Sequence, residues 1–70
     1  MSAPIHVTVN GAPRELPATL TFSQLLEALA LGGRRIAVER NGEIVPRSRL
    51  AEARVADGDR IEVVVAVGGG

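Results

Sequence analysis

Leu20-Thr21-Phe22-Ser23-Gln24-Leu25-Leu26-Glu27-Ala28-Leu29-Ala30-Leu31-Gly32-Gly33 reads as an amphipathic helix with a marked start and stop. Phe22, Leu25, Leu26 and Leu29 recur at i, i+3, i+4 and i+7, which lines them up on one face. Thr21 is a good N-cap, Gln24 three residues on completes a capping box, and Leu20 with Leu25 forms a hydrophobic staple. Gly32-Gly33 offers the left-handed conformation that closes a helix. The pattern predicts a helix over 22–31. One short helix cannot bury its own stripe, so the segments on either side decide what it packs against.

On the N-terminal side, Ile5-His6-Val7-Thr8-Val9 alternates apolar and polar residues as a half-buried strand does. Asn10-Gly11 is a strong hairpin signal because both residues tolerate positive φ. Pro13 marks the turn, Arg14-Glu15-Leu16 returns as a short strand, and Pro17 stops it. On the C-terminal side, Ile36-Ala37-Val38 reads as a strand, Asn41-Gly42 as a second hairpin turn, and Glu43-Ile44-Val45 as the return, stopped by Pro46. Residues 47–54 lack a strand pattern, and Ser48 to Ala53 is expected to form one helical turn with Leu50 inward. Asp57-Gly58-Asp59 is a turn before the longest and most apolar strand, 60–67. The order is strand, strand, helix, strand, strand, short turn, strand. Its simplest packing is an α+β domain in which a mixed sheet of about five strands covers one helix, the β-grasp or ubiquitin-like arrangement. Residues 1–67 form that domain and 68–70 a flexible glycine tail.

Composition narrows the function. Seventy residues allow one modest core and no deep ligand cavity. The absence of cysteine fits a reducing compartment and removes thiolate metal sites and a cysteine nucleophile; His6 is the single histidine, so no histidine cluster exists for a metal. Eight arginines balance eight acidic residues, and Phe22 is the only aromatic, which argues against nucleic acid and against an anionic membrane. The N-terminus has neither the basic region nor the apolar run of a signal peptide, and the longest apolar run, 63–67, is too short to cross a bilayer. A soluble cytoplasmic protein is expected.

Three stretches resemble the ThiS family, the sulfur carriers of thiamine biosynthesis. Val9-Asn10-Gly11 closes the first hairpin. Ile36-Ala37-Val38-Glu39-Arg40-Asn41-Gly42-Glu43-Ile44-Val45-Pro46-Arg47 resembles the family's central A-V-x-x-N-x-x-V-P-R segment. Asp57-Gly58-Asp59-Arg60-Ile61-Glu62-Val63 leads through the last strand to a glycine end. The resemblance covers about residues 5 to 70 and rests on the conjunction rather than on any one motif. Where the family needs two terminal glycines this chain has three: Gly69 and Gly70 match the pair, and Gly68 lengthens the reach.

The resemblance implies a carrier protein, a co-substrate of its partners and not itself an enzyme. An E1-like adenylyltransferase of the ThiF type uses ATP and magnesium to adenylate the Gly70 carboxylate. A persulfide donor supplies sulfur to give a thiocarboxylate, and a thiazole synthase of the ThiG type receives it. The chain itself binds no cofactor or metal. Gly68 and Gly69 would thread the partner's active site, since glycines lack a Cβ and adopt backbone angles closed to other residues. The plain alternative for the tail is a frayed terminus.

In the last strand Ile61, Val63, Val65 and Val67 share one face and should meet the helix, while Glu62, Val64 and Ala66 share the other. Val64 and Ala66 are therefore candidates for partner docking, against the alternative that loops cover them. His6 is expected to be solvated, Arg47 and Arg49 to be ordinary surface arginines, and Arg34-Arg35 to meet the helix dipole. Asp57 and Asp59 are expected to serve the turn, with no set of ligands around them for a cation. Rival functions are the small subunit of a molybdopterin synthase, which tends to be longer and richer in aromatics, a ubiquitin-like protein modifier, and a plain interaction module.

Overall fold

The computed structural model describes residues 3–32 and 34–65. Its elements are β1 (Ile5–Val9), β2 (Ala12–Leu16), α1 (Phe22–Ala28), β3 (Ile36–Arg40), β4 (Glu43–Val45), a 3-10 turn (Arg47–Arg49) and β5 (Arg60–Val65). The strands form one sheet in the order β2-β1-β5-β3-β4. β1 and β5 run parallel, and the other pairs are antiparallel. This is the expected β-grasp, with β5 central.

Both hairpins turn on Asn-Gly. Asn10 and Gly11 have φ of 51 and 82, and Asn41 and Gly42 have 52 and 88. Positive φ at both central residues gives the turn whose twist matches the flanking strands. The register that follows places Val9 opposite Ala12 and Arg40 opposite Glu43.

The start of α1 is as the sequence predicts. The Thr21 N–H donates to Gln24 Oε1 at 2.9 Å, and the Gln24 N–H donates to Thr21 Oγ1 at 3.1 Å. Two further free N–H groups of the first turn, on Phe22 and Ser23, donate to Ala53 O at 3.1 Å and Leu50 O at 2.9 Å. The connector between β4 and β5 is thereby fastened to the helix start. Val55, fully buried, completes it: its N–H donates to Leu20 O at 2.7 Å, and Thr19 Oγ1 donates to Val55 O at 2.6 Å.

The end of α1 comes earlier than the predicted residue 31. The helix stops at Ala28 with Leu29 as cap, and Ala30 takes the left-handed conformation with φ 62. The Leu31 N–H donates to Leu26 O at 2.8 Å and the Ala30 N–H to Glu27 O at 3.0 Å, the bond pair of a Schellman cap. Leu31 then packs against the core. Burial of Leu31 thus offsets the strain of a Cβ at a left-handed residue, and the glycines at 32 and 33 are not the closing residues. Ala30→Gly removes that strain and is expected to stabilise the fold by about 0.5–1 kcal/mol, raising Tm by roughly 2–8 °C. A thermal melt checks this; a lower Tm would show that the cap carries no strain.

The core gathers Ile5, Val7, Val9, Leu16, Phe22, Leu25, Leu26, Val38, Val55, Ile61 and Val63. Ile61 and Val63 are buried, Val65 is half-buried, and Arg60, Glu62 and Val64 are exposed, so β5 presents its predicted faces. Leu50 lies partly buried against the core, as expected, at the end of the 3-10 turn.

Candidate functional site

The glycine tail, Gly68, Gly69 and Gly70, and the predicted docking residue Ala66 lie outside the described residues, as does Val67. The strand that leads to them is described as far as Val65.

Val64 is where the sequence places it, on the outer sheet face and 63% exposed. It stands opposite Ala37 on β3, and the next outward pair along the same two strands is Glu39 opposite Glu62. Ile44 on β4 faces Glu39 from the other side and is 69% exposed. Val64 and Ile44 are the large exposed apolar side chains of the described residues. Over β3, β4 and β5 the outer face therefore carries Ala37, Ile44 and Val64 with the carboxylates of Glu39 and Glu62 among them. Ile44 escaped the sequence reading although the signal was present. The two-residue Asn41-Gly42 turn sets Val45 opposite the buried Val38, which turns Ile44 outward.

The turn residues do more than turn. Asp59 is the charged side chain buried among the described residues. Its Oδ2 lies 2.9 Å from one terminal nitrogen of Arg40, accepts from Arg40 Nε at 3.0 Å, and accepts from the Ala56 N–H at 2.8 Å. Its Oδ1 accepts from Asn41 Nδ2 at 3.2 Å. The Arg40 guanidinium also donates to Arg54 O and sits 5.2 Å above the Phe22 ring centre, where the ring's negative face attracts it. Asn41 Oδ1 accepts from the Arg60 N–H at 2.8 Å. One network thus joins the second hairpin, the turn before β5 and the core aromatic. The expectation that Asp59 only serves its turn is too small. The sequence does not show that Arg40 reaches it across the sheet.

The remaining charged candidates are surface groups. His6 is exposed, with Nε2 at 3.4 Å from Glu15 Oε1 and Nδ1 at 3.9 Å from Asp57 Oδ1. The backbone N–H of His6 donates to Asp57 Oδ1 at 2.7 Å, which ties β1 to the same turn. Arg49 pairs with Glu52 at 3.4 Å on the surface, and Arg47 begins the 3-10 turn. Arg34 and Arg35 do not meet the helix dipole as expected: the last turn of α1 holds no basic residue, because the helix ends at Ala28. Among the described residues no group of three or more His, Cys, Asp or Glu is placed to hold a metal ion. No described helix is long and apolar enough to cross a membrane.

Topology and outer face define a ubiquitin-like β-grasp domain with exposed apolar side chains on its outer sheet face. Comparison with known proteins narrows this class. The sequence pattern of the ThiS family matches residues 7–70. The sulfur carrier protein ThiS of Bacillus subtilis (strain 168) is 42% identical over 52 residues, 74% of this chain and 79% of that protein. The crystal structure of a thiamine biosynthesis protein (ThiS) from Geobacter metallireducens superposes with a TM-score of 0.80. Its identity is 35%, over 94% of this chain and all of that one. A thiazole synthase of Paramagnetospirillum magneticum (strain ATCC 700264 / AMB-1) is 45% identical over 66 residues, 94% of this chain; the chain spans only 20% of that protein's length. The chain belongs to the ThiS family.

Proposed function

We propose that this chain is a sulfur carrier whose working group is the carboxylate of Gly70. The observation that carries the reading is the family match, which continues past the described end of β5 and runs through residue 70. An E1-like adenylyltransferase joins that carboxylate to the α-phosphate of ATP, held with magnesium in the partner, and pyrophosphate leaves. The carboxylate, a poor acyl donor with oxide as leaving group, becomes a mixed anhydride with AMP as leaving group. The outer sulfur of a cysteine persulfide attacks the carbonyl and expels AMP. A thiol then takes the remaining sulfur as a disulfide, releasing the thiocarboxylate. A thiazole synthase uses that sulfur for the thiazole ring. A thiazole synthase that contains a stretch similar to this chain supports the pairing of the two.

The carrier's own part is presentation. Gly68, Gly69 and Gly70 span roughly 10 Å when extended, enough to enter a narrow active site while the sheet remains outside. Partner backbone groups pair with such a strand and capture its end. Val64 and Ala66, joined by Ala37 and Ile44, form the docking side for the partners.

The test is direct. With a ThiF-type enzyme, ATP, magnesium and a persulfide donor, the carrier is expected to gain the mass difference between sulfur and oxygen. Val64→Glu is expected to raise the KM for the carrier about tenfold with little change in Tm, since one buried interface contact commonly contributes about 1–2 kcal/mol. An unchanged mass defeats the carrier reading, and an unchanged KM defeats the docking side alone.

A further inference from the structure

β5 is paired on both edges for only part of its length. On one edge β3 accompanies it from Ile61 to Val65. On the other, β1 pairs at Thr8 with Arg60 and at Val9 with Ile61, and the Asn10 N–H donates to Ile61 O at 2.8 Å. There β1 ends, because Asn10 and Gly11 turn the chain back into β2. Val63 is the next residue whose N–H and C=O point to this edge. The Asn10 side chain meets both: Oδ1 accepts from the Val63 N–H at 2.8 Å, and Nδ2 donates to Val63 O at 3.2 Å. A carboxamide carries the same donor and acceptor as a peptide unit. Asn10 therefore extends β1 by one residue without extending its backbone.

We propose that Asn10 is a positioning residue for the chemistry at the chain end, fixing the line along which β5 leads toward residue 70. The proposal rests on the carrier reading above. Without Asn10, the Val63 N–H and C=O would lose their partner, β5 beyond Ile61 would be held along its β3 edge only, through the neighbouring residues Glu62 and Val64, and it would pivot about that edge. The volume searched by a carboxylate farther along the chain would grow, and the share of docked complexes in attacking geometry would fall. An asparagine that served the turn alone would not need its carboxamide on Val63.

Because the carrier is a substrate, the kinetics separate aim from stability. Partial unfolding lowers the concentration of competent carrier and shows in KM. Poor aim inside the docked complex shows in kcat. Asn10→Gly is the variant of choice, since glycine keeps the left-handed turn and removes the carboxamide, and the stability it loses through added backbone freedom is read in KM. With the activating enzyme, kcat for carrier-dependent pyrophosphate release is expected to fall about 5–20-fold, with KM within about twofold. Asn10→Asp, which keeps the acceptor and loses the donor, should fall between the two. In the free protein, hydrogen exchange at the Val63 amide should speed up more than at Ile61. A wild-type kcat in Asn10→Gly, or a loss confined to KM, overturns the proposal and leaves the carrier reading standing. An enzyme that adenylates neither form defeats the carrier reading, and the proposal with it.

Discussion

Deleting Gly70 is expected to abolish adenylation: pyrophosphate exchange with the activating enzyme should fall to the level seen without carrier, while Tm stays within about 1 °C of the intact chain. The loss follows from reach. One residue fewer draws the terminal carboxylate back by about 3.3–3.6 Å, whereas a displacement of about 1 Å already costs on the order of 100-fold in a positioned reaction. No acidic side chain on the sheet substitutes, because each is anchored to a folded body too wide to follow a glycine tail into a narrow site. The fold is spared because the core residues of β5, Ile61 and Val63, precede the deleted position by several residues. Gly70→Ala keeps the length and adds a Cβ, so a partial loss of about 10- to 100-fold is expected, from steric exclusion and restricted φ. The pair separates length from shape. Full exchange by the deletion variant would end the terminal-carboxylate mechanism, even with family membership unchanged.

The parts of this fold that were legible in sequence are those written in local chemistry. The capping box Thr21–Gln24, the two Asn-Gly turns and the alternation of β5 each depend on residues within a few positions of one another. Consistency among them was enough for the topology, since two hairpins and one apolar helix stripe leave few ways to close a single core. The helix end was misplaced because a non-local term won. Burial of Leu31 holds Ala30 in a conformation that glycine two residues later would have taken without strain. The segment 50–56 has no periodicity. Its shape is set by Leu50 O and Ala53 O at the helix start and by the buried Val55, none of which a window of sequence reports. At the candidate site, Val64 was readable from strand alternation, whereas Ile44 required the register of a three-residue strand. Asn10 and Asp59 were read as turn residues, correctly, but their side chains act on partners 53 and 19 residues away.

Asp59→Ala should be the most destabilising single substitution outside the apolar core, lowering stability by about 3 kcal/mol. The reasoning is asymmetric. Asp59 is 7% exposed, and its carboxylate satisfies the Arg40 guanidinium, the Ala56 N–H and Asn41 Nδ2. Alanine leaves all three donors without this acceptor and leaves Arg40, one-third exposed, as a cation over Phe22 without its counterion. Arg40 keeps its bond to Arg54 O, which holds the loss below the upper end of the range for a broken buried pair. A domain of this length has only about 4–10 kcal/mol in total, so the expected fall in Tm is roughly 12–24 °C. Arg40→Leu should be comparably harmful, because it leaves a buried carboxylate unpaired. The double variant Asp59→Ala with Arg40→Leu decides between two roles for the network. If the pair matters chiefly because each charge needs the other, the double variant regains about 1–3 kcal/mol over the sum of the singles in urea titrations. If the losses simply add, the two residues act through separate contacts: Asp59 by holding the Ala56 turn, and Arg40 by covering Phe22. Even then the sheet would lose the tie between its second hairpin and the entrance to β5. If β5 sets the line toward the chain end, as proposed for Asn10, the Asp59 single variant is also expected to lower kcat more than the Tm-matched Phe22→Leu. Equal kcat in the two would confine Asp59 to stability.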